Sequence, residues 1–457
     1  MEYDVLVIGG GPAGYYCALH CGRNGLRVAL VEKEELGGTC FRWGALPVKK
    51  IHDDLVKYTG IIEGFKQPFP DISGMIFKRC NQEMKEVEKK IKNSLEEENI
   101  EIYFGDGFFQ DRYTFIIGNE ELKGKNIVIA TGTTPWGPFA ADVDGSLVIT
   151  HKELFKLSSL PQKMVIVGGN VEGVEFASFL THMGIEVTVV EKDRELLTGN
   201  DRDLVRPIES ELMKWGAKFY LGYGVSKIIK NENYVKVELE NGELLETEKI
   251  LLTMGRRPNV PKGAAEIGLE VNEERILVNG NLKTNICHVY AIGDVNGILG
   301  MANAAIQQGL AAAENIFRGK DVTTNYDGLP RSVFSMPEMA GVGLQEEELR
   351  KKGAAYKVGF CNFADTWRGI SKRMESGFVK LLAAEDGRLL GVWMIGRDVA
   401  DLVGTLGLLI HHEIKIEQIK ENLMLHPSLS EGILEAALNM KRVGGSEYET
   451  APHFMYK

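Results

Sequence analysis

The chain contains little cysteine, no long uninterrupted apolar run and no excess of positive charge. Six cysteines are scattered through 457 residues, a usage that favours a reducing compartment over a disulfide framework. No apolar stretch is long enough to span a bilayer. The N-terminal MEYD leads into an apolar run without the basic region of a signal peptide. We therefore expect a cytoplasmic protein without a membrane span.

The charge balance and the histidine spacing argue against nucleic acid and metal ions as ligands. The formal net charge is −11 and the isoelectric point is about 5.5, which argues against nucleic acid as a main partner. No cysteine or histidine cluster has ligand spacing, since His411 and His412 are adjacent rather than one helical turn apart. We expect no metal site.

The composition that is present is typical of a soluble globular protein with several domains. The hydrophobic share is 44% and the charged share is 26%. A chain of 457 residues exceeds what one hydrophobic core usually serves, so roughly two to four domains are expected.

A gapless internal repeat organises the first half of the chain. Residues 4–33 read DVLVIGGGPAGYYCALHCGRNGLRVALVEK, and residues 163–192 read KMVIVGGNVEGVEFASFLTHMGIEVTVVEK. One constant offset aligns Gly9 with Gly168, Gly14 with Gly173, and Glu32 with Glu191. Each copy is an apolar run, a glycine turn, a helix-length stretch and a second apolar run that ends in an acid. This pattern predicts two βαβ units.

The first copy has the residues that a dinucleotide-binding turn requires. Gly9 allows a tight turn after the strand, Gly11 lets a pyrophosphate approach the backbone, and Gly14 lets helix and sheet pack closely. The N–H groups and the dipole at the start of the helix attract phosphates. Glu32, at the end of the second strand, can accept hydrogen bonds from a ribose. Because all these features coincide, the first copy is predicted to bind a dinucleotide.

The second copy departs from this pattern at two positions. Asn170 stands where the close-approach glycine belongs, and Glu172 lies in the first helical turn, where its carboxylate competes with phosphates for N–H groups. Glu191 favours a free 2′-hydroxyl and hence NAD over NADP, although Lys192 and Arg194 are close in sequence. Two interpretations stay open: an NAD site, or a related fold that no longer binds a nucleotide well.

The rest of the chain alternates between helical and extended patterns. Residues 51–100 are predicted to be largely helical, because EMKEVEKKIKNSLEEEN carries acids and bases at helical spacing. A meander is predicted to end in the apolar run at 127–132, the segment at 287–297 is predicted to be a buried strand that ends in Gly293-Asp294, and residues 302–317 predict a helix. From about residue 328 the pattern becomes mixed, without a glycine turn, which indicates a separate C-terminal domain.

The motifs, taken in order, resemble those of a known enzyme family. The sequence contains GGGPAG, GGTC, ATG, the second glycine-turn unit, GRRPN, AIGD and HPSLSE. This order resembles the pyridine nucleotide–disulfide oxidoreductases, the flavoprotein disulfide reductases, and is most similar to dihydrolipoamide dehydrogenases over essentially the whole chain. The resemblance implies an α/β fold with two Rossmann-like FAD/NAD(P)-binding domains and an α+β C-terminal dimerisation domain. It also implies a two-fold homodimer.

The resemblance further assigns boundaries and cofactor residues. The implied domains are an FAD-binding domain at 1–150, an NAD-binding domain at 151–281, a central segment completing the FAD site at 282–327, and an interface domain at 328–457. The implied cofactor-binding residues are Gly9, Gly11, Gly14, Glu32, Gly38, Thr39, Lys49, Gly107, Gly132, Gly168, Gly173, Glu175, Glu191, Gly255, Asp294 and Ala302. Asp294 is expected to bond the ribitol of FAD. Lys49 is expected to lie near the flavin and pair with Glu175, since an ammonium there stabilises the anionic reduced ring.

One of the two cysteines of the family's redox motif is missing. The family motif reads GGTCxxxxCxPSK, whereas this sequence reads GGTCFRWGALPVKK. Cys40 matches the first cysteine, which attacks the substrate disulfide. Ala45 stands where the second cysteine, which exchanges electrons with the flavin, is expected. Without that thiol no intramolecular disulfide can form at this site.

The acid–base pair of the family is retained. His426 and Glu431 in HPSLSE match it, with Glu431 expected to orient the imidazole and His426 expected to move a proton to or from a thiol. In the family this histidine reaches the flavin site of the other subunit. The candidate catalytic residues are therefore Cys40, His426 and Glu431.

No other cysteine is expected to replace the missing thiol. Cys17 and Cys21 lie one turn apart on the first predicted helix and are interpreted as buried structural thiols. The remaining cysteines lie in other segments: Cys80, Cys287 and Cys361.

These features favour an FAD-dependent NADH oxidoreductase without a two-cysteine relay. Electrons would pass from NADH through FAD to a small-molecule acceptor, and a quinone, a dye, oxygen or a single-thiol mixed disulfide are all open. In one variant, Cys40 is still a nucleophile and His426 is its base. The alternative is a non-catalytic, flavin-bound structural or regulatory protein, which Ala45, Asn170 and Glu172 favour. Nothing in the sequence supports docking on a larger dehydrogenase complex.

Overall fold

The chain divides into two compact units, each with one of the two glycine turns. The computed structural model describes residues 1–65 and 72–443, except for the side chains of residues 59–65, 72 and 73. The first unit contains residues 1–161, 230–235 and 248–324, and the second contains residues 162–229, 236–247 and 325 onward.

The described residues form thirteen α-helices, twenty-five strands and three short 3-10 helices. The helices are α1 (Pro12–Arg23), α2 (Gly38–Arg42), α3 (Ala45–Phe65), α4 (Ile72–Glu97), α5 (His151–Leu154), α6 (Val171–His182), α7 (Arg202–Lys214), α8 (Ala302–Arg318), α9 (Glu346–Lys351), α10 (Trp367–Lys372), α11 (Val399–His411), α12 (Ile416–Glu421) and α13 (Glu431–Leu438). The strands up to the middle of the chain are β1 (Glu2–Ile8), β2 (Val28–Glu32), β3 (Glu101–Phe104), β4 (Gly107–Phe109), β5 (Thr114–Ile117), β6 (Glu120–Ile129), β7 (Thr133–Pro135), β8 (Val148–Ile149), β9 (Lys163–Val167), β10 (Glu186–Glu191), β11 (Lys218–Leu221), β12 (Val225–Lys230) and β13 (Val235–Leu239). The later strands are β14 (Leu244–Thr247), β15 (Lys249–Leu252), β16 (Arg256–Pro258), β17 (Val271–Asn272), β18 (Arg275–Ile276), β19 (Val289–Ala291), β20 (Arg331–Val333), β21 (Glu338–Gly343), β22 (Tyr356–Asn362), β23 (Phe378–Ala384), β24 (Leu389–Gly396) and β25 (Lys441–Val443). The 3-10 helices are Ala140–Asp142, Gly293–Asn296 and Phe363–Asp365.

The first unit is built on a sheet with a parallel centre. Its strand order is β3-β2-β1-β6-β5-β4, and β19 also pairs with β6. Strands β3, β2, β1, β6 and β19 run parallel, whereas β4 and β5 complete an antiparallel meander. The carboxyl ends of parallel strands meet at one edge, which is where open α/β sheets bind their ligands. Gly9, Gly132 and Asp294 all follow strands at this edge.

Strand β1 is apolar throughout because both faces of the sheet are covered. Val5 and Val7 belong to a cluster with side chains of α1, α4 and α8, whereas Leu6 and Ile8 belong to a cluster on the opposite face. Successive side chains of a strand alternate between the faces, so a sheet covered on both sides needs an uninterrupted apolar run. The close packing of α1 on α8 depends on Gly309, where a Cβ would lie 2.4 Å from a carbonyl oxygen of α1.

The internal repeat of the sequence recurs as a repeat of strand register. In the first copy β1 pairs with β2 so that Val5 faces Val28, and in the second copy β9 pairs with β10 so that Met164 faces Val187. These are the same positions under the offset of the repeat. The first glycine of each turn donates its N–H to the second strand, over 2.8 Å in the first copy and 2.9 Å in the second. The two predicted βαβ units are therefore present with one geometry.

The second unit also carries the C-terminal sheet. Strand β10 lies between β11 and β9, and β12, β13 and β14 form a small sheet in that order. The C-terminal sheet has the order β20-β21-β24-β23-β22-β25, with antiparallel neighbours. Its apolar face packs against side chains of α11, α12 and α13.

A buried ion cluster ties the second unit together. The Lys380 side chain is 2% exposed, and its Nζ lies 2.7 Å from Asp201, 2.7 Å from Asp203 and 3.3 Å from Glu346. Burial by itself lowers the pKa of Lys380, but the three carboxylates outweigh it and raise that pKa above its ordinary value. The Asp201 carboxylate also accepts the N–H groups of Glu346 and Glu347 at 2.9 Å each, and so caps the start of α9. Removing one partner of such a buried cluster is strongly destabilising.

The structure corrects one predicted element and agrees with the others that it describes. The predicted helix at 302–317 is α8, and the helical stretch at 51–100 falls largely in α3 and α4, with residues 66–71 outside the described residues. The strand predicted at 287–297 is shorter, because Gly293 has a φ of +72° and begins a 3-10 helix. The four domain boundaries stay a prediction.

Candidate active site

The first glycine turn leaves the start of α1 accessible to a ligand. Gly9 has a φ of +110°, and a Cβ there would lie 2.3 Å from the Ala130 carbonyl oxygen. A Cβ on Gly14 would lie 1.9 Å from the carbonyl oxygen of Gly9, whereas a Cβ on Gly11 would meet only Gly38, at 3.9 Å. Gly11 is the N-cap of α1 and provides no side chain to its first N–H groups. Space and exposed donors at this point fit the approach of a pyrophosphate.

The Glu32 carboxylate stabilises this turn through hydrogen bonds to the backbone. It accepts the Gly10 N–H at 2.7 Å and the Glu34 N–H at 2.9 Å. Burial raises the pKa of Glu32, although the backbone N–H groups of Glu34 and Gly10 oppose that rise. The acid therefore has a structural role in the turn, and its bond to a ribose stays a prediction.

Cys40 lies on α2, a short helix that begins against the first glycine turn. Gly37 is its N-cap with a φ of +106°, and Gly38 has a φ of +54°. A Cβ on Gly38 would lie 2.9 Å from the Cα of Gly11, so the two glycine segments are in close contact. Helix α2 ends at Arg42, and Ala45 is the first residue of α3.

Burial is the main influence on the pKa of the Cys40 thiol. It raises the pKa of Cys40 to about 11; Lys49 lowers that pKa and Asp294 raises it. Only a thiolate is an effective nucleophile, so a thiol in this environment is largely unreactive near neutral pH. Cys40 and Lys49 belong to the redox motif and Asp294 belongs to the AIGD motif, and the structure places both charged groups within electrostatic reach of the thiol.

Two residues that the sequence analysis did not select join Asp294 to α2. Thr133 donates its hydroxyl to Asp294 Oδ2 at 3.1 Å and accepts a hydrogen bond from Arg256 Nε at 2.7 Å. Arg256 Nη2 also donates to Thr39 Oγ1 at 3.1 Å. Burial raises the pKa of Asp294, whereas the Arg256 charge and the Thr133 hydroxyl lower it. The available signal was that Arg256 belongs to the GRRPN motif and Thr133 follows the ATG motif.

The remaining predicted residues of the first unit have different environments. Ala302 is the first residue of α8. Gly132 has a φ of +64° and no atom within 4 Å of the position of a Cβ. Gly107 begins β4, and a Cβ there would lie 2.3 Å from a ring carbon of β5, so sheet packing explains this glycine. Gly255 precedes β16 and accepts the N–H of Trp136 at 2.9 Å.

The other cysteines are structural or remote from α2 in their contacts. Cys17, Cys21 and Cys361 are buried, and Cys287 is exposed. Cys80 is nearer to the redox segment than its sequence position suggested, because its Sγ donates to the Pro47 carbonyl oxygen at 3.6 Å. Cys80 is fully buried in α4, and burial raises its pKa to about 12. It is therefore a structural thiol.

The two residues that end the α2 segment are held by neighbouring side chains. Arg42 is buried and pairs with Glu35 and, at 2.8 Å, with Glu88. The Trp43 ring lies 5.2 Å from the Arg42 guanidinium and 4.9 Å from the Lys156 ammonium. These contacts anchor α2 and give both side chains a packing role.

The second glycine turn has the same backbone as the first but a different donor set. Gly11 has φ −71° and ψ −177°, and Asn170 has φ −76° and ψ −172°. Glu191 accepts a turn N–H at 2.5 Å, as Glu32 does in the first copy. Asn170 Oδ1, however, accepts the Gly173 N–H at 3.1 Å, so one donor at the start of α6 is already bonded.

The two acids of α6, Glu172 and Glu175, lie in different environments. Glu172 lies in the first turn of the helix. Glu175 is buried and accepts the Phe334 N–H at 2.9 Å, and Ser178 accepts the Met336 N–H at 3.0 Å. Side chains of α6 therefore hold the backbone of Phe334 and Met336, two alternate residues of the segment that follows β20. The pairing of Glu175 with Lys49 stays a prediction.

His426 and Glu431 form a hydrogen-bonded pair at the start of α13. His426 Nδ1 lies 2.5 Å from Glu431 Oε1, and the Ser428 N–H donates to Glu431 Oε2 at 2.9 Å. The His426 bond and the Ser428 N–H lower the pKa of Glu431. A carboxylate at Nδ1 orients the imidazole and leaves Nε2 for proton transfer. Cys40 belongs to the first unit and this pair to the second.

Within residues 1–65 and 72–443, no group of three or more His, Cys, Asp or Glu side chains is placed to hold a metal ion. Over the same part of the chain, no helix combines the length and apolarity needed to cross a membrane.

Comparison with known proteins gives the class. The pyridine nucleotide-disulphide oxidoreductase family matches residues 3–309, and the family's dimerisation domain matches residues 329–437. The chain therefore belongs to this family and is an FAD-dependent pyridine nucleotide oxidoreductase. The α/β fold class and the FAD and NAD(P)H cofactors expected from the sequence are confirmed.

Individual relatives are dihydrolipoamide dehydrogenases and flavoprotein disulfide reductases. The chain is 31% identical to the dihydrolipoamide dehydrogenase of Chaetomium thermophilum over 476 residues, covering 99% of this chain and 92% of the relative. It is 32% identical to a dihydrolipoyl dehydrogenase of Bacillus subtilis over 463 residues, covering 96% and 98%. Among solved structures, the Cu(II) complex of the HOCl-induced flavoprotein disulfide reductase RclA from Escherichia coli is similar with a TM-score of 0.87 and 26% identity, covering 96% and 99%.

The first unit fits the FAD of this family. The position of Gly11 has room for a pyrophosphate, and the start of α1 has no side-chain cap. Asp294 follows a strand at the carboxyl edge of the sheet, and one of its oxygens is oriented by Thr133; its bond to the ribitol stays a prediction. In this predicted arrangement, backbone donors and one carboxylate would hold the cofactor.

Proposed function

We propose that this protein oxidises NADH through its FAD and reduces an acceptor without a two-cysteine redox disulfide. The observation that carries the proposal is Ala45, an apolar side chain at the first residue of α3, where the family motif has its second cysteine. FAD, when bound, accepts hydride from NADH and passes the electrons to an acceptor. With one thiol, Cys40, no disulfide between these two positions can take part.

The environment of Cys40 supports an acceptor that does not need a thiolate. Burial raises the pKa of Cys40 to about 11, so the sulfur is a neutral thiol near pH 7. Quinones, dyes and oxygen take electrons without a sulfur nucleophile. In the single-thiol variant a base removes the Cys40 proton and the thiolate attacks a small disulfide, so that the substrate S–S bond breaks, one thiol leaves and a mixed disulfide forms. Two electrons supplied by NADH then release the second thiol and restore Cys40.

The retained acid–base pair supports that variant. Glu431 holds His426 through Nδ1, which fits the proton transfer that thiol exchange requires. In the proposed homodimer, His426 of one subunit is the base for Cys40 of the partner subunit. Large apolar side chains flank the histidine and are exposed: Leu423 at 96% and Leu425 at 76%. Exposed leucines on a dimerisation domain support coverage by a second copy.

The proposed reductant is NADH rather than NADPH. Glu191 ends β10 and is bonded to the turn, the position from which an acid accepts a ribose 2′-hydroxyl and repels a 2′-phosphate. The cytoplasmic location and the boundaries at 1–150, 151–281, 282–327 and 328–457 also stay predictions.

Acceptor assays with a cysteine variant test the proposal. The FAD-loaded protein is expected to oxidise NADH with a quinone or dye, and Cys40→Ser is expected to retain that turnover. Ordinary dihydrolipoamide dehydrogenase turnover is not expected. If Cys40→Ser stopped quinone and dye reduction as well, the thiol-independent route would be wrong. If only a disulfide were reduced and Cys40→Ser stopped it, the single-thiol variant would replace the main proposal.

A second candidate is a flavin-bound structural or regulatory protein. The specific observation that favours it is the Asn170 side chain, which occupies the Gly173 N–H in the second turn. Together with Glu172 it disfavours a pyrophosphate there. This candidate predicts that FAD stays bound while NADH reduces neither the flavin nor any acceptor.

A further inference from the structure

Arg256 is positioned by a short ladder between two motifs. Strand β16 pairs antiparallel with β7, so that Arg256 faces Pro135 and Pro258 faces Thr133. Beyond the ladder, Asn259 Nδ2 donates to the Thr131 carbonyl oxygen at 3.0 Å. The GRRPN and ATG segments are therefore fixed to each other, and the Arg256 side chain starts from a defined backbone position.

The Arg256 guanidinium donates hydrogen bonds to Thr133 and Thr39 at the edge of the predicted flavin site. Nε donates to Thr133 Oγ1 at 2.7 Å, and Nη2 donates to the Thr133 carbonyl oxygen at 3.3 Å and to Thr39 Oγ1 at 3.1 Å. The planar fork of an arginine reaches these acceptors together, which a lysine ammonium does not reproduce. Thr39 directly precedes Cys40 on α2.

The chemistry of arginine fixes the direction of the next hydrogen bond. A guanidinium can only donate, so Thr133 Oγ1 accepts from Arg256 and its own proton points to Asp294 Oδ2 at 3.1 Å. The carboxylate is thereby oriented and faces a nearby positive charge. Asp294 is a predicted ribitol ligand.

The neighbouring arginine has a different role. Arg257 lies over the Trp136 ring, with its guanidinium carbon 4.7 Å from the ring centre, and pairs with Glu274. Successive side chains of a strand point to opposite sides. Arg257 is therefore a matched control, because it has the same charge and the adjacent position but none of these contacts.

We propose that Arg256 is a positioning residue of the flavin site. Through Thr133 it orients the Asp294 carboxylate for the ribitol, and through Thr39 it holds α2 and the Cys40 segment beside the first glycine turn. The inference rests on the FAD of the family, and its test uses neither NADH nor an acceptor. It can therefore fail independently of the proposed function.

The test compares FAD retention by purified Arg256→Met, Arg256→Lys and Arg257→Met proteins across pH. Arg256→Met is expected to raise the dissociation constant of FAD roughly 10- to 100-fold at neutral pH, the loss typical of hydrogen bonds to a charged group. Without the guanidinium the pKa of Asp294 rises further, so FAD is lost at a higher pH as the solution is acidified. Arg256→Lys restores the charge but not the fork, so its pH dependence is expected to return toward that of the parent while its affinity recovers only in part. Arg257→Met is expected to match the parent.

Thr133→Val keeps the test decisive if Arg256→Met does not fold. This substitution preserves side-chain size and removes only the hydroxyl between Arg256 and Asp294. It is expected to shift the pH dependence of FAD retention in the same direction. Equal FAD retention by Arg256→Met and Arg257→Met, or an unshifted pH dependence in Thr133→Val, would overturn the proposal.

Discussion

Gly11 and Asn170 occupy equivalent turns with nearly the same backbone conformation. The two turns therefore differ at this position by the side chain of Asn170. At Gly11 a Cβ would meet one atom at 3.9 Å and the helix start has no cap. At Asn170 the side-chain oxygen holds the Gly173 N–H. A pyrophosphate has to displace this bond before it can use the same donor.

Replacing Asn170 should therefore strengthen NADH binding. Asn170→Gly is expected to lower the dissociation constant of NADH roughly 3- to 10-fold, because one neutral hydrogen bond contributes about 0.5–1.5 kcal/mol. The lost cap costs the helix only a few tenths of a kcal/mol when glycine replaces asparagine. Asn170→Ala is the control: it removes the acceptor but keeps a Cβ, so its NADH affinity should be intermediate. Equal affinities of the parent and Asn170→Gly, measured by titration of flavin fluorescence, would contradict this account.

The Cys40 thiol should titrate far above an ordinary cysteine. Burial raises its pKa to about 11, and the folded protein therefore binds this proton more tightly than the unfolded chain. Alkylation by iodoacetamide in a Cys287→Ser background, which removes the exposed thiol, should rise by about tenfold per pH unit up to pH 10 because only the thiolate reacts. Lys49→Met should slow the reaction, since Lys49 lowers this pKa. A plateau near pH 8.5–9, as for an ordinary thiol, would show that the burial argument is wrong.

At the scale of elements, the turn between β17 and β18 carries residues that do not suit its conformation. Val271 faces Ile276 and Asn272 faces Arg275, which leaves a two-residue loop of Glu273 and Glu274. Their φ values are +47° and +66°, as in a type I′ turn, where Asn-Gly is strongly preferred. Each glutamate pays the steric cost of a left-handed conformation.

Glu273→Asn combined with Glu274→Gly should therefore stabilise the first unit. The expected gain in the free energy of unfolding is about 1 kcal/mol, less whatever the exposed Arg257–Glu274 ion pair contributes. For a unit of this size that corresponds to a thermal midpoint roughly 2–4 °C higher. The control is Glu273→Gln with Glu274→Gln, which removes both charges without relieving the backbone. Equal midpoints for the two double variants in thermal unfolding would contradict a conformational origin.

At the scale of the whole molecule, the repeated βαβ units could be predicted from the sequence. Contacts between residues that lie far apart in the chain could not. The two βαβ units followed from apolar runs, glycines and terminal acids, all local features that the strand register reproduces. Arg256 and Thr39 are 217 residues apart, and nothing local signals that they meet. The Lys380 cluster was missed for the same reason, because a lysine inside an apolar strand gives no indication of which acids surround it.

The redox segment shows the limit of a motif in another way. The motif identified Cys40 and the alanine at position 45, but burial and the charges of Lys49 and Asp294 decide the protonation of the thiol. These depend on tertiary structure. The predicted dimer, in which His426 of one copy serves the other, is also a property of the assembly and not of one chain.

The most direct test of the central proposal is an anaerobic titration of the FAD-loaded protein with NADH, followed by visible absorbance, with Ala45→Cys in parallel. The account predicts that NADH bleaches the flavin band of the parent without the long-wavelength thiolate-to-flavin absorbance of the family. Ala45→Cys, which restores the second thiol, should show that absorbance. Retained FAD with no bleaching would contradict NADH oxidation and favour the non-catalytic candidate, and a long-wavelength band in the parent would contradict the absence of a second redox thiol.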